Sequence, residues 1–120
     1  MGKASRDKGA RNERNIVDLI QRHGVEAKRV PLSGMMSGYK GDIQMGSWNI
    51  ECKVRANGFK QIYNWLDDCE KNDVDFLIIK ADRRDAKVVM DLRDLLDILC
   101  GKHTKTITQM RSAYDPKWSA

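Results

Sequence analysis

Asp42, Glu51 and Lys53 are two acids and a base that could together support metal-assisted chemistry. Residues 48–55 alternate between apolar and polar side chains, a period of two that is typical of a half-buried β-strand. This alternation places Glu51 and Lys53 on the same polar face. Carboxylate oxygens brought together on that face would suit a hard divalent cation such as Mg²⁺ or Mn²⁺.

A two-residue turn predicts which residues of the hairpin lie opposite each other. Gly46-Ser47 is the Gly-X pair expected in a type II′ turn. It predicts three opposed pairs: Met45 with Trp48, Ile43 with Ile50, and Asp42 with Glu51. Opposed residues have Cβ atoms about 4.5–5.5 Å apart, where like charges destabilise the pair unless positive charge lies between them. The register therefore favours a cation between the two acids, and a solvated charged face is the alternative.

The composition predicts one soluble globular domain over residues 1–120. The chain is 41% hydrophobic and 32% charged, and it has no apolar run near the roughly 20 residues of a membrane span. Its first residues lack the apolar core of a signal peptide, so we expect a cytoplasmic protein that is not secreted. The three cysteines (Cys52, Cys69 and Cys100) are odd in number and lack C-x-x-C spacing, so we expect free thiols.

The net charge of +5 is concentrated at the two ends of the chain. Residues 1–14 contain five basic and two acidic residues, and residues 101–120 contain four basic and one acidic. We therefore expect a basic N-terminal arm at residues 1–8 and a basic tail at residues 102–120. Such ends suggest a polyanionic partner, and a pair of solubilising tails is the alternative.

The hydrophobic periodicity predicts the element order α-β-β-β-α-β-β-α. Helices are expected over residues 5–23, 62–69 and 92–99, with Gly24 and Gly101 ending the first and third. Strands are expected over residues 25–30, in the hairpin, and over 76–79 and 87–90. The apolar run at 76–79 is typical of a central strand buried on both faces. Together these elements predict an α/β fold, a single domain with one central mixed β-sheet flanked by helices.

Glu13 is a third acid that could reach the hairpin. It lies on the first predicted helix, three residues before Ile16 and four before Val17. Glu13 therefore borders the face that this helix turns towards the sheet. An acid there is either a rim residue that reaches water or a ligand that enters a shared site.

Four motifs in order give the chain a resemblance to a known superfamily. They are Gly9-Ala10-Arg11-Asn12-Glu13-Arg14, Arg29-Val30-Pro31-Leu32-Ser33-Gly34, Gly41-Asp42 and Glu51-Cys52-Lys53. In this order they resemble the PD-(D/E)xK nuclease superfamily and, within it, the archaeal-type Holliday junction resolvases. The resemblance covers about residues 8–55, and Gly41 stands where the superfamily often has proline.

The resemblance implies a restriction-endonuclease-like domain that hydrolyses DNA phosphodiester bonds with Mg²⁺ or Mn²⁺. The metal ligands that it implies are Glu13, Asp42, Glu51 and the backbone carbonyl of Cys52. Lys53 would orient or activate the attacking water, and Ser33 would lie near the scissile phosphate. Contacts to DNA phosphates are expected from Lys3, Arg6, Lys8, Arg11, Arg14, Arg29, Lys40 and Arg55.

Three functions remain open from the sequence. The first is a Holliday junction resolvase acting in DNA recombination and repair, expected to be a homodimer because two chains are needed to cut two symmetric strands. Its interface would come from the exposed second or third helix, or from residues 114–118. The second is a nuclease of the same superfamily that acts on other branched, nicked or linear DNA. The third is a nucleic-acid-binding module without catalytic activity.

Overall fold

The computed structural model describes residues 2–31 and 40–102. These residues form three helices: α1 (Lys3–Arg22), α2 (Lys60–Lys71) and α3 (Leu92–Leu99). They also form five strands: β1 (Ala27–Arg29), β2 (Ile43–Met45), β3 (Trp48–Ile50), β4 (Leu77–Ile79) and β5 (Lys87–Val89). The α/β class and the predicted element order are confirmed. None of the described helices has the length and apolar character needed to span a bilayer.

Glycines end α1 and α3 as their positions in the sequence predict. Gly24 has a φ of 86° and Gly101 a φ of 69°, the left-handed conformation common just after a helix. The amide of Gly24 donates to the carbonyl of Gln21 at 2.9 Å, which satisfies one of the last carbonyls of α1. α1 begins at Lys3, so most of the expected N-terminal arm is helical.

The strands form two antiparallel sheets in the described part of the chain, where the sequence predicts one mixed sheet. The first has the order β1-β2-β3, and the second pairs β4 with β5. In the second sheet Leu77 lies opposite Val89 and Ile79 opposite Lys87. Periodicity identifies a strand but not its partner, so the apolar run of β4 did not reveal that it pairs with the strand that follows it.

The core lies between α1, the first sheet and α3. α1 contributes Val17 and Ile20, and the single buried residue of α3 is Leu96. β2 contributes Ile43 and Met45, which are buried on either side of the less buried Gln44, so its predicted alternation is confirmed. This packing fixes α1, which carries Glu13, against β1 and against β2, the first strand of the hairpin.

Burial along β3 and β4 is lower than their sequences predict. Trp48 is 53% exposed although the alternation of its strand predicts a half-buried face. The expectation that residues 76–79 form a central strand buried on both faces is wrong, because Ile78 is 62% exposed. α2 has no buried residue among those described. In the described part of the chain β4 pairs only with β5, and α2 has no buried residue, so β4 is not buried on both faces.

Candidate active site

The hairpin has the turn and the register that the sequence predicts. Gly46 has a φ of 57° and Ser47 does not have a positive φ, the combination of a type II′ turn. Met45 lies opposite Trp48, and Ile43 lies opposite Ile50, so both predicted pairs are confirmed. The proposed facing of Asp42 and Glu51 lies one step beyond these paired residues and stays a prediction.

The backbone of Asp42 forms hydrogen bonds with two neighbouring segments, at Val30 and at Ile50. Its amide donates to the carbonyl of Ile50 at 2.7 Å, and its carbonyl accepts from the amide of Val30 at 2.9 Å. Its carboxylate oxygen Oδ2 accepts a hydrogen bond from the amide of Cys52 at 2.8 Å. The carboxylate therefore points towards the segment that carries Glu51 and Lys53. The sequence predicts a role for the carbonyl of Cys52 but did not reveal this use of its amide.

Gly41 is required by the close approach of the hairpin strands. It has a φ of 75°, and a Cβ atom at this position would lie 2.5 Å from the carbonyl oxygen of Ile50. Proline has a φ near −65° and could not adopt this conformation. The departure from the superfamily's usual proline is thus explained by the local backbone.

Glu13 is joined to the first sheet by an ion pair. The Nε atom of Arg29 on β1 donates to Oε2 of Glu13 on α1 at 3.0 Å, and both side chains are half-buried. The two residues are 16 positions apart, too far for any local spacing rule to relate them. Glu13 therefore has a fixed orientation, and the guanidinium of Arg29, which the sequence predicts as a phosphate contact, is engaged by a carboxylate.

Lys53 and Glu51 form a second ion pair on the polar face of the hairpin. Nζ of Lys53 lies 3.1 Å from Oε1 of Glu51, which confirms that the two side chains share a side. Both are well exposed, so the pair adds little to stability and can exchange partners at low cost.

The three predicted acidic ligands all influence the thiol of Cys52. Burial raises the pKa of this thiol, and the negative charges of Asp42, Glu13 and Glu51 raise it further. These carboxylates come from α1 and from the two arms of the hairpin. Acids that are far apart in the sequence thus act on the same half-buried residue, Cys52.

A groove of about 450 Å³ lies beside Glu13. It lies between the N-terminal half of α1 and residues 52–56, and Glu13 and Cys52 line it. Lys8 and Arg55 line the same groove, so two of the predicted phosphate contacts lie beside a predicted metal ligand. Of the other described bases of this set, Arg29 is half-buried against Glu13, and four are exposed outside the groove: Lys3, Arg11, Arg14 and Lys40. Ser33 and the side chain of Arg6 lie outside the described residues.

The acids of this site have the oxygen donors that a hard cation prefers, but their arrangement is not that of a metal-binding site. Carboxylate oxygens suit Mg²⁺ or Mn²⁺. Within residues 2–31 and 40–102, no three Asp, Glu, His or Cys side chains are arranged so that they could hold a metal ion. Glu13 is paired with Arg29, and Glu51 with Lys53. The residues therefore fit a divalent cation in the chemistry of their donor atoms, while both glutamates are held in ion pairs.

Comparison with known proteins gives one match. A family model described as "Phage putative PDDEXK endonuclease" matches residues 4–117. No curated protein and no solved structure matches the chain. The matched range includes α1, the hairpin and most of the C-terminal residues beyond α3.

Proposed function

The chain belongs to the phage PDDEXK endonuclease family, and we propose that it is a divalent-metal-dependent DNA endonuclease that is selective for four-way junctions. Membership of this family supports a nuclease with DNA as substrate. The choice of metal, the branched substrate and the residue roles are the content of the proposal.

One observation supports the assignment of the site more than any other. The amide of Cys52 donates to Oδ2 of Asp42 at 2.8 Å, and Cys52 lines the groove that Glu13 also lines. The carboxylates of Asp42 and Glu13 are therefore associated with the same residue from the hairpin and from α1, and carboxylate oxygens are the ligands that a hard divalent cation prefers. A divalent cation held there would supply Lewis-acid polarisation of a phosphoryl oxygen.

The neighbouring residues have separate roles in this proposal. The amide of Cys52 fixes the direction of the Asp42 carboxylate. Arg29 positions Glu13 through its 3.0 Å hydrogen bond. With a cation held by the acids, Lys53 would be released from Glu51, and its ammonium group would stabilise the negative charge that develops on the phosphate or orient the attacking water.

DNA binding is assigned to the groove and the exposed face of α1. Lys8 and Arg55 flank the groove that contains Glu13, so a phosphate bound by them lies near the acids. Arg11 and Arg14 are exposed further along α1 and extend the positive surface. Binding through such contacts falls steeply as the salt concentration rises.

Selectivity for four-way junctions rests on the resemblance to the resolvases and on symmetry. A junction has two equivalent strands to cut, and a C₂ homodimer presents two sites in the matching arrangement. The proposal therefore includes a dimer, whose mass in solution can be measured directly. A nuclease that acts on flaps, nicks or linear duplex is the alternative within the same family.

Cleavage of synthetic DNA tests both the chemistry and the substrate. Labelled four-way junction, flap, nicked and linear duplex are compared at equal concentration with Mg²⁺, with Mn²⁺ and with a chelator. We expect cation-dependent cutting of the junction ahead of the other substrates. Faster cutting of flaps or duplex would overturn the junction assignment, and undiminished cutting in chelator would overturn the metal assignment.

Matched variants test the site itself. Asp42→Asn and Lys53→Ala should each reduce cleavage by about 100-fold or more, because each removes a group that acts in the transition state. Asp85→Asn and Lys87→Ala are the controls, since Asp85-Ala86-Lys87 is the same acid-x-Lys tripeptide outside the hairpin. Wild-type rates for both Asp42→Asn and Lys53→Ala would overturn the site.

A binding module without activity is the second candidate function, favoured by the ion pairs of Glu13 and Glu51. It predicts salt-sensitive DNA binding with no cutting of any substrate and no change in melting temperature with Mg²⁺. That combination would overturn the nuclease proposal.

A further inference from the structure

A second groove, of about 490 Å³, lies on a different part of the surface. It is formed by the C-terminal half of α2, the turn that follows and the start of α3. Six acidic residues line it: Asp67, Glu70, Asp73, Asp75, Asp91 and Asp94. The lining residues, in the part of the chain that the structure describes, include no lysine or arginine. We name this surface the acidic groove; its charge repels nucleic acid and attracts basic groups.

Apolar side chains are interleaved with these acids. Tyr63 on α2 is 61% exposed, and Val74 and Phe76 in the segment before β4 are also exposed. Exposed aromatic and aliphatic side chains next to one another indicate a binding surface. The matching partner is a peptide that carries both basic and apolar side chains.

The chain contains such a peptide directly after α3. Residues 103–120 include three basic residues (Lys105, Arg111 and Lys117) and one acid (Asp115). Their large apolar residues are Ile107, Met110, Tyr114 and Trp118. This segment is thus complementary to the acidic groove in charge and in apolar character. The family match extends to residue 117, so most of the segment is part of the family's sequence.

The position of α3 lets this segment reach the groove. Asp91 and Asp94 at the start of α3 line the groove, and the eight-residue helix is about 12 Å long. Eighteen extended residues span up to about 60 Å. A chain that turns back after Lys102 therefore reaches the groove with residues to spare.

We propose that residues 103–120 bind in the acidic groove of their own chain. The basic side chains pair with the acids, and the aromatic side chains cover Tyr63 and Phe76. This contact does not depend on the proposed nuclease activity. In this proposal the positive charge of the tail binds the acidic groove. The sequence alone suggests instead that this charge binds a polyanionic partner.

Hydrogen exchange of the full-length protein, followed by mass spectrometry, tests the contact. Backbone amides in residues 103–120 should exchange about 10-fold more slowly than an unstructured peptide of the same sequence. The double variant Asp67→Lys/Glu70→Lys should lose this protection. Both positions are exposed on α2, so the variant should fold. Lysine is a better helix former than the aspartate at position 67, and its positive charge is favourable at position 70, near the C-terminus of the helix.

A control and a rescue separate docking from general charge effects. Asp82→Lys/Asp85→Lys changes the net charge equally at a turn outside the acidic groove and should retain the protection. Adding Lys105→Glu/Arg111→Glu to the α2 double variant should restore the protection. If the α2 lysine variant does not fold, the neutral variant Asp67→Asn/Glu70→Gln serves in its place and should weaken the protection.

Four results would overturn the proposal. They are unprotected tail amides in the wild-type protein, equal protection in every variant, protection that appears only when DNA is added, and protection that grows with protein concentration. The third would assign the tail to DNA, and the fourth to a second copy of the chain.

Discussion

The amide of Cys52 donates a 2.8 Å hydrogen bond to Oδ2 of Asp42 from the opposite arm of the hairpin. This bond joins one proposed metal ligand to the backbone between Glu51 and Lys53. The orientation of Asp42 is therefore coupled to the position of the other two side chains of the proposed site. The same contact also contributes to the stability of the hairpin.

Substitutions of Asp42 should separate stability from activity. Asparagine keeps an oxygen that can accept from Cys52, whereas alanine leaves that amide without its partner. We expect Asp42→Ala to lower the free energy of unfolding by about 1.5–3 kcal/mol and Asp42→Asn by much less. Urea unfolding measures the difference, while cleavage should be lost in both. Equal stability of the two variants would contradict the structural role of the bond.

Arg29 should behave as a positioning residue and not as a phosphate contact. Its guanidinium is engaged by Glu13, so Arg29→Ala should reduce cleavage with little change in the salt dependence of DNA binding. Arg11→Ala is the control, because Arg11 is exposed; it should reduce the slope of log K against log salt by about 0.9. A similar slope change in Arg29→Ala would show that Arg29 contacts phosphate.

Gly41 should tolerate alanine much less well than Gly46. Both have positive φ, but only at Gly41 would a Cβ meet the carbonyl oxygen of Ile50. A left-handed conformation costs a non-glycine residue about 1–2 kcal/mol, and the clash adds to this at Gly41. Thermal and urea unfolding of Gly41→Ala and Gly46→Ala should give a clearly larger loss for the first. Equal losses would show that the strand approach is not tight.

The thiol of Cys52 should make stability fall at alkaline pH. Burial and nearby carboxylates raise its pKa above the ordinary value of 9.0, so the folded state keeps a proton that the unfolded state releases. The contribution of the protonated thiol to the free energy of unfolding is fully present below pH 9.0 and is lost as the pH rises through the raised pKa. Urea unfolding across this range should show a smaller alkaline loss for Cys52→Ala than for the wild type.

Alkylation offers an independent check on the cause of that pKa shift. Asp42→Asn removes one of the negative charges that raise the pKa of Cys52. The thiolate fraction at a given alkaline pH should then rise, and the thiol should react faster with iodoacetamide. Peptide-resolved mass spectrometry distinguishes Cys52 from Cys69 and Cys100. An unchanged rate would mean that the carboxylate does not act on the thiol.

Local signals predicted the helices and the hairpin well. The apolar spacing of α1 and α3 gave their extents, and the glycines after them gave their ends, because helix termination depends on only a few adjacent residues. The Gly46-Ser47 turn gave the register of Ile43 with Ile50 for the same reason. The prediction of one mixed sheet did not match, since strand pairing is not encoded in the periodicity of either strand.

Residue types and local patterns identified the members of the proposed site: three acids, a lysine and a turn that aligns two strands. Their contacts became known from the folded chain, which pairs Glu13 with Arg29 and directs Asp42 to the amide of Cys52. The physical reason is distance along the chain. Periodicity and turn chemistry act over a few residues, whereas these contacts join α1 to β1 and one arm of the hairpin to the other. They form only when Ile20, Ile43 and Leu96 are buried together in the core.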